Sequence, residues 1–265
     1  MKMPFKNTWI HYTVDRPGQG PWILAVHGFT ENLHMWDELP AMIPEKFSVL
    51  RPDLLGHGQS GLTGEYLTME EQAEMLRRLL DWQGIDRAVL VGHSMGGYIA
   101  LAFAEMYPER TAALLLYHSK PQADDPAKAK GRDQAIAAAR QNKFAYLQTA
   151  IPGFFAPYNR DKYAERIHEL VRQAFLTPVE GITGALRGMK IRKDRRPVFY
   201  AQDDIPKGWI VGRDDPLIDF DALQAEARQH PHVQFLPIEG GHMSYVENRP
   251  GMEQALRSFL ENLNL

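Results

Sequence analysis

Short apolar runs alternate with amphipathic segments along most of the chain. Runs with the length and pattern of strands lie at 9–14, 22–26, 47–50, 88–91 and 112–117. Apolar residues recur at helical spacing between them, at 35–42, 69–82 and 98–106. Strands that alternate with helices in this way predict an α/β protein, with a mostly parallel sheet flanked by helices on both faces.

The predicted helix over 69–82 carries signals at both ends. Thr68 and Glu71 form a capping box, which predicts that their side chains satisfy two free backbone N–H groups of the first turn. Gly84 supplies the stop before the next strand.

The strand pattern is interrupted between about residues 119 and 196. Helical patterns replace it at 133–149, 161–176 and 179–189. An aromatic and proline-rich connector at 151–158 (IPGFFAPY) suits the inner wall of a lid over a pocket, although the same aromatics could simply pack the lid onto the body. We therefore expect a helical lid inserted at about 119–196.

The sheet pattern resumes after the insertion. Strands are predicted at 209–211 and 233–236, with a helix over 220–229 between them. A last helix follows, and its inward-facing residues are Met252, Leu256, Phe259 and Leu263. Without an internal repeat, residues 1–265 are expected to form a single domain that carries the lid.

The sequence Gly-x-Ser-x-Gly at 92–96 joins the apolar run 88–91 to a helical pattern. This arrangement is a nucleophile elbow, in which a serine lies on a strained turn between a strand and a helix. The flanking glycines leave room for the tight packing of that turn. Ser94 is therefore predicted to face a ligand.

A serine hydroxyl is a weak nucleophile at neutral pH, so it needs a base and a third group that fixes the tautomer of the base. After Ser94 the chain offers Asp215 and His242, each in a glycine-rich loop directly after a predicted strand. Loops at the carboxyl ends of parallel strands open on one edge of the sheet, which would bring the three side chains together.

Composition and charge narrow the classes of function. The 265 residues carry 30 Lys and Arg against 33 Asp and Glu, scattered without a basic stripe, so no nucleic-acid partner is expected. No apolar run approaches the roughly 18 residues of a membrane span, so no membrane association is expected. Residues 1–7 lack the apolar core of a secretory signal, so we expect a cytoplasmic protein. The absence of cysteine excludes disulfides and cysteine-ligated zinc.

The histidines and glycines favour neither a metal nor a cofactor. The ten histidines lack a spacing such as H-E-x-x-H, and the glycines form neither a dinucleotide fingerprint nor a phosphate-binding loop. His27 and His57 are expected to support their loops, and His93 to help set the turn at Ser94. His118 ends the strand before the insertion and is either a pocket residue or a structural hydrogen-bonding group.

Five motifs in one order resemble those of the lidded, single-domain α/β-hydrolases. They are HGF at 27–29, DLLGHGQS at 53–60, GHSMGG at 92–97, GRDDP at 212–216 and GHM at 241–243. The resemblance covers nearly the whole chain apart from the lid. It implies an α/β-hydrolase fold.

The resemblance also implies roles for individual residues. Ser94 would be the nucleophile, His242 the general base and Asp215 the acid that orients the base. The backbone N–H groups of Phe29 and Met95 would form the oxyanion hole. Because these donors belong to the main chain, the side chains of Phe29 and Met95 would be free to line the pocket.

Two adjacent aspartates compete for the role of the acid. Side chains of neighbouring loop residues generally point apart, so only one of Asp214 and Asp215 should reach His242. The family's Gly-x-x-Asp spacing, counted from Gly212, selects Asp215. Asp214 would then be a surface charge or a turn cap.

This set of residues predicts hydrolysis of a small carboxylic ester through an acyl-enzyme intermediate. A serine at the elbow argues against the dehalogenases and epoxide hydrolases of the family, in which an aspartate is the nucleophile. Three alternatives stay open. They are a thioesterase or lactonase, a carbon–carbon bond hydrolase or lyase with the same triad, and a ligand receptor with negligible turnover. The sequence pattern leaves the oligomeric state open.

Overall fold

A computed structural model describes residues 1–18 and 20–265 of the protein. Eight strands form one sheet in the order β1-β2-β4-β3-β5-β6-β7-β8. The strands are β1 (Lys2–Phe5), β2 (Thr8–Asp15), β3 (Trp22–Val26), β4 (Ser48–Pro52), β5 (Ala88–His93), β6 (Thr111–Tyr117), β7 (Lys207–Gly212) and β8 (Val233–Ile238). Strand β2 runs antiparallel to both β1 and β4, and the other neighbouring pairs are parallel. The predicted α/β class with a mostly parallel sheet is confirmed.

Helices surround this sheet. They are α1 (Leu39–Met42), α2 (Met69–Trp82), α3 (Met95–Met106), α4 (Pro126–Gln141), α5 (Lys143–Ala150), α6 (Ala164–Leu176), α7 (Val179–Lys190), α8 (Arg196–Phe199), α9 (Phe220–Gln229), α10 (Ser244–Glu247) and α11 (Arg249–Glu261). Within residues 1–18 and 20–265, every helix is too short or too polar to cross a membrane.

The sheet separates two apolar cores. Successive residues of a strand point to opposite faces, so Ile23 joins one core and Leu24 the other. Helices α1 and α11 cover the first face, whereas helices α2 to α9 contribute to the second. This layering leaves the carboxyl ends of the parallel strands at one edge, where the loops after β5, β7 and β8 meet.

Most strands lie where the pattern predicts them, with two differences. Strand β4 begins and ends later than the predicted 47–50. Strand β1 was not predicted, because four residues that include Pro4 give too short an alternation to stand out. An edge strand tolerates this proline because its backbone nitrogen needs no partner on the outer side.

The insertion between β6 and β7 contains helices α4 to α8. The prediction of one helix over 133–149 is wrong about where the helix begins and about its being continuous. Helix α4 already begins at Pro126, after Asp125 caps it by accepting a hydrogen bond from the backbone N–H of Lys128 at 2.8 Å. The chain then breaks at Asn142, whose side chain accepts from the N–H of Ala145 and starts α5.

The capping box before α2 is half formed. The Thr68 hydroxyl accepts a hydrogen bond from the N–H of Glu71 at 3.1 Å, as predicted. The Glu71 carboxylate instead accepts from the Lys6 ammonium at 2.6 Å, so its predicted contact with the start of the helix is wrong. Gly84 has a φ of +66°, in agreement with its predicted role as the stop.

Candidate active site

Ser94 lies on a sharp turn between β5 and α3. Its φ of 51° and ψ of −115° are strained for a residue with a side chain. The turn needs glycine on both sides. A Cβ at Gly92 would lie 2.4 Å from the carbonyl oxygen of Gly96, and a Cβ at Gly96 would lie 2.3 Å from that of Val26. The local sequence is therefore what allows this strained turn to pack against β3.

Three side chains from separate loops form a continuous hydrogen-bonded chain at the edge of the sheet. The Ser94 Oγ lies 2.8 Å from His242 Nε2. His242 Nδ1 lies 2.8 Å from Asp215 Oδ2. The structure thus brings together the three residues that the motifs predict, although they are separated by 148 and 27 positions along the chain.

The two adjacent aspartates face different surroundings. The Asp215 side chain is completely buried, and its second oxygen accepts from the N–H of Leu217 at 2.8 Å. Asp214 accepts from the Tyr158 hydroxyl at 2.6 Å on the exposed side of the loop. Only Asp215 contacts His242, in keeping with the choice that the spacing favours.

A second histidine binds the same carboxylate oxygen. His118 Nδ1 lies 2.8 Å from Asp215 Oδ2, and its Nε2 lies 2.6 Å from the Ser244 hydroxyl. Tyr117 adds a further contact, 2.5 Å from the same hydroxyl. His118 also lines the cavity next to Ser94, so both roles left open by the sequence apply.

The donors in this chain are fixed by elimination. A carboxylate only accepts, so His118 Nδ1 must carry the proton. Burial lowers the pKa of His118 to about 4, although Asp215 opposes the shift, and the ring is therefore neutral at pH 7 with a bare Nε2. Ser244 must then donate to His118, and Tyr117 must donate to Ser244.

The electrostatics of Asp215 follow from its partners. Burial alone would raise the pKa of this carboxyl. The charge of His242 and the hydrogen bonds from His118 and His242 outweigh burial, so the pKa lies well below its ordinary value. Asp215 is thus held as a carboxylate.

His118, Asp215 and His242 also form the kind of cluster that can bind a metal ion. Their spacing argues against that use. Ligands around a zinc ion at about 2.0–2.1 Å would lie more than about 3 Å apart. Here both Nδ1 atoms lie 2.8 Å from one oxygen, which is the distance of a hydrogen bond.

Glu31 is a buried site residue that the motifs did not identify. Its carboxylate accepts from the N–H of Gly28 at 2.7 Å and contacts His93 Nδ1 at 2.8 Å. His93 Nε2 lies 3.1 Å from the carbonyl oxygen of His242. Both ring nitrogens of His93 therefore face acceptors, which requires both to be protonated. This ion pair connects the loops after β3, β5 and β8.

The pKa shifts of this pair agree with that protonation. Burial alone would lower the pKa of His93, but Glu31 outweighs it and raises that pKa. Burial alone would raise the pKa of Glu31, and His93 outweighs it in the opposite direction. The only sequence signal for the pair was an acidic residue four positions after His27, in the loop after β3.

The two residues predicted to supply backbone donors are Phe29, in the loop after β3, and Met95, directly after Ser94. Met95 is the first residue of α3, where a backbone N–H has no partner within the helix. The Phe29 ring lines the cavity, as expected. The Met95 side chain is instead completely buried in the core, so the expectation that it could line the pocket is wrong.

A cavity of about 320 Å³ opens beside Ser94 and His242. Its apolar wall is formed by Phe29, Tyr98, Phe154, Leu186, Met189 and Leu217. Of the two phenylalanines in the connector 151–158, Phe154 lines the cavity and Phe155 is buried in the core. The connector therefore both lines the cavity, through Phe154, and packs onto the body, through Phe155.

Other polar residues at this edge support the loops. The N–H of Leu54 donates to His27 Nε2 at 3.0 Å, and His57 Nδ1 contacts the carbonyl oxygen of Leu55 at 3.1 Å, as predicted for both histidines. Asp53 accepts from the N–H groups of Leu33 and Gln59. These contacts hold the loops after β3 and β4 together.

The chain belongs to the α/β-hydrolase family. Residues 21–249 match the family profile described as alpha/beta hydrolase fold. The predicted resemblance is thereby confirmed.

Individual relatives include lipases and esterases. Lipase LipV of Mycobacterium tuberculosis is 29% identical over 228 residues, covering 75% of this chain and 84% of that protein. The structure of a thermophilic esterase from Thermogutta terrifontis has a TM-score of 0.89 at 29% identity, with 97% and 95% of the two chains covered.

Further matches are more distant or shorter. A putative 2-succinyl-6-hydroxy-2,4-cyclohexadiene-1-carboxylate synthase of Bacillus subtilis is 26% identical over 274 residues, covering 96% of each chain. Three uncharacterized mycobacterial proteins are 39% identical over 99 residues, which is 37% of this chain. The chain spans only 29% of the length of those three proteins.

Proposed function

We propose that the protein is a serine hydrolase that cleaves a small carboxylic ester through an acyl-enzyme. The observation that carries the proposal is the 2.8 Å contact between Ser94 Oγ and His242 Nε2, at the wall of the cavity. Asp215 accepts only, so it holds the proton of His242 on Nδ1 and leaves Nε2 free to accept from serine.

The proposed reaction has two halves. In the first, Ser94 attacks the ester carbonyl while His242 takes the hydroxyl proton and then gives it to the departing alkoxide. In the second, His242 takes a proton from water as the water attacks the acyl group, and gives that proton to the Ser94 oxygen as the acid leaves. Each step uses groups of the chain and water, so we propose that no cofactor takes part.

The negative oxygen of each tetrahedral intermediate needs donors that are already in place. We propose the backbone N–H groups of Phe29 and Met95 for this role. The position of Met95 at the start of α3 supports the proposal, because its N–H is free and lies directly after the nucleophile. Removing one such donor typically costs about 3–4 kcal/mol of transition-state stabilisation.

We further propose that residues 1–265 act as one domain in which the insertion at 119–196 is a lid. Phe154, Leu186 and Met189 of the insertion line the cavity. The carbonyl oxygen of Phe154 accepts a hydrogen bond from the N–H of His242 at 3.0 Å. These contacts support a segment that both covers the site and touches the base.

A carbon–carbon bond lyase is the second candidate. The likeness to the Bacillus subtilis synthase over 96% of each chain favours it, since that protein is named for a carboxylate product. A thioester or lactone would use the same residues as an ester. A receptor would bind its ligand saturably with negligible turnover.

The test compares release of p-nitrophenol from acetyl, butyryl and octanoyl esters by four proteins. We expect turnover by the wild type and a loss of about 1,000-fold or more in kcat for both Ser94→Ala and Asp215→Asn. Asp214→Asn is the matched control, because it removes the adjacent charge without touching His242, and should keep wild-type turnover.

Each other outcome has a defined meaning. Turnover that survives Ser94→Ala would contradict the acyl-enzyme. Turnover that falls with Asp214→Asn but not with Asp215→Asn would contradict the choice of acid. An absence of ester turnover would favour the lyase or the receptor.

A further inference from the structure

Basic side chains gather on one side of the cavity. Lys120, Lys128 and Arg132 line it together with Asp124. Arg192 lies just behind them, with its guanidinium 4.0 Å from the ring centre of Tyr98, another lining residue. This cluster of five residues, 120, 124, 128, 132 and 192, is the polar wall of the cavity.

The carboxylate in the polar wall forms ion pairs with the two arginines. Arg132 Nε lies 3.1 Å from one oxygen of Asp124, and Arg192 lies 2.7 Å from the other. Burial alone would raise the pKa of Asp124, but the two arginines outweigh it and lower that pKa. Asp124 is thus an anion already shared by two cations.

The two lysines therefore have no carboxylate of their own. Throughout residues 1–18 and 20–265, no carboxylate oxygen lies within 4.0 Å of either ammonium. Burial and the neighbouring Lys128 lower the pKa of Lys120 to about 8. Two ammonium groups that crowd each other at a cavity wall leave an excess of positive charge, which an anion between them would stabilise.

The cavity that these lysines line is also lined by Ser94. The hydroxyl of Ser119 donates to the carbonyl oxygen of Ser94 at 2.7 Å. Lys120 is the next residue, so its backbone is within one residue of the elbow. Because Lys120 and Ser94 line one cavity, a small molecule whose carbonyl reaches Ser94 can place an anionic group at Lys120.

We propose that the cavity selects esters that carry an ionised carboxylate elsewhere in the molecule, bound between the ammonium groups of Lys120 and Lys128. The inference rests on the proposed function and names its substrate class. The volume of about 320 Å³ suits a small acid. In the reaction the bound carboxylate is unchanged: water adds across the ester bond, which yields a second carboxylic acid and an alcohol.

The experiment uses two pairs of esters matched in size. In the first pair, mono-p-nitrophenyl glutarate is compared with p-nitrophenyl pentanoate. The anion of the glutarate ester lies in the acyl part. 4-Carboxyphenyl butyrate is compared with 4-carbamoylphenyl butyrate, which places it in the alcohol part. The rate with Ser94→Ala is subtracted each time, because glutarate half-esters also hydrolyse on their own.

We expect the wild type to prefer at least one anionic ester over its neutral partner by about 10-fold or more in kcat/KM. The double variant Lys120→Met with Lys128→Met should bring that ratio close to one. Added salt should also lower it, because it screens charge. Lys130→Met is the matched control, since this exposed lysine of α4 does not line the cavity, and it should keep the wild-type ratio.

Several results would overturn the inference. One is a wild-type ratio near one for both pairs, and another is a preference that survives in the double variant. Competitive inhibition by inorganic phosphate but not by glutarate would indicate that the polar wall binds a phosphate and not a carboxylate, which would contradict the inference.

A failure of the proposed function is distinguishable from these results. If no ester is hydrolysed, titration calorimetry with glutarate still tests the polar wall. We then expect measurable binding to the wild type and to Lys130→Met, and binding at least 10-fold weaker to the double variant. Equal binding by all three proteins would contradict the inference.

Discussion

At Asp215, one carboxylate oxygen accepts hydrogen bonds from two imidazole rings. His242 connects this oxygen to Ser94, and His118 connects it to the buried hydroxyls of Ser244 and Tyr117. His118 therefore acts on the proposed reaction through Asp215. It fixes the direction of the carboxylate and takes up part of its charge.

His118→Asn and His118→Leu test this positioning role. Asparagine can donate from nearly the position of Nδ1 and tolerates the φ of 47° at this residue, whereas leucine fills similar space without a donor. We expect His118→Leu to lower kcat by about 10-fold, since hydrogen bonds to charged groups contribute roughly 1.5–3 kcal/mol. His118→Asn should recover most of that loss.

The pH profile separates this role from a merely structural one. Without the hydrogen bond from His118, the Asp215 carboxylate would stabilise protonated His242 more strongly. The acid limb of kcat/KM should then move to higher pH in His118→Leu and stay in place in His118→Asn. An unchanged limb in the leucine variant would contradict the role.

The sequence predicted Ser94, Asp215 and His242 because each lies in a local motif at the end of a strand. It left His118 open and missed Glu31. Their partners are 97 and 62 positions away, so nothing in the local pattern identifies the contact. The buried Met95 side chain was also mispredicted, because a free backbone N–H does not fix where the side chain packs.

At the scale of elements, two glycines test how the elbow packs. A Cβ at Gly96 would meet the backbone oxygens of Val26 and His27 at 2.3 and 2.6 Å, which the sheet cannot easily move. Gly131 lies inside α4 with open space around the same position. We expect Gly96→Ala to destabilise the fold by about 3 kcal/mol or more.

Gly131→Ala is the matched control and should stabilise the protein by about 0.5–1 kcal/mol, because alanine favours the helix more than glycine does. Urea denaturation followed by circular dichroism measures both variants. A Gly96→Ala variant as stable as the wild type would contradict the close approach of α3 to β3.

Strands and amphipathic helices were predictable because burial on one or two faces imposes a period on the sequence. Breaks between helices were less predictable from the sequence. The side chain of Asn142 ends α4 and begins α5 through a single hydrogen bond, which leaves the apolar pattern almost unchanged. Strand β1 was missed because its pairing with β2 comes from the sheet and not from its four residues.

At the scale of the whole molecule, buried neutral histidines should make stability depend on pH. Burial lowers the pKa of both His57 and His118 to about 4. Between about pH 6.5 and 4, these groups bind protons in the unfolded chain but not in the folded one. The free energy of unfolding should therefore fall as pH falls through this window, by roughly 1.4 kcal/mol for each pH unit and each histidine.

Burial also lowers the pKa of His27, which adds to this fall, whereas the remaining shifted groups act outside this window or against it. The lowered pKa values of Asp124 and Asp215 affect stability only as pH falls below their ordinary value near 4. The raised pKa of His93 contributes stability that is complete below pH 6.5 and is lost as pH rises above it. Urea midpoints at pH 7, 6 and 5 test the prediction.

His118→Asn supplies the internal control for this measurement. It removes one of the three buried histidines whose pKa is lowered, so the fall in stability between pH 7 and 5 should become less steep. Equal midpoints for the wild type across this range would contradict the neutral burial of these rings.

The substrate is the property that the sequence pattern predicts least. It depends on side chains of the insertion, where Lys120, Lys128 and Arg132 meet only through the packing of α4 above the elbow. In the sequence alone, these three charged residues resemble ordinary solvent-exposed residues. Only the folded structure places them at the same cavity as Ser94.

The most direct test of the central claim is to label the protein with a fluorophosphonate and locate the adduct by peptide mass spectrometry. We predict one adduct for each chain, on Ser94, with none on Ser94→Ala. Labelling of another residue, or none under conditions in which the protein is folded, would contradict Ser94 as the nucleophile.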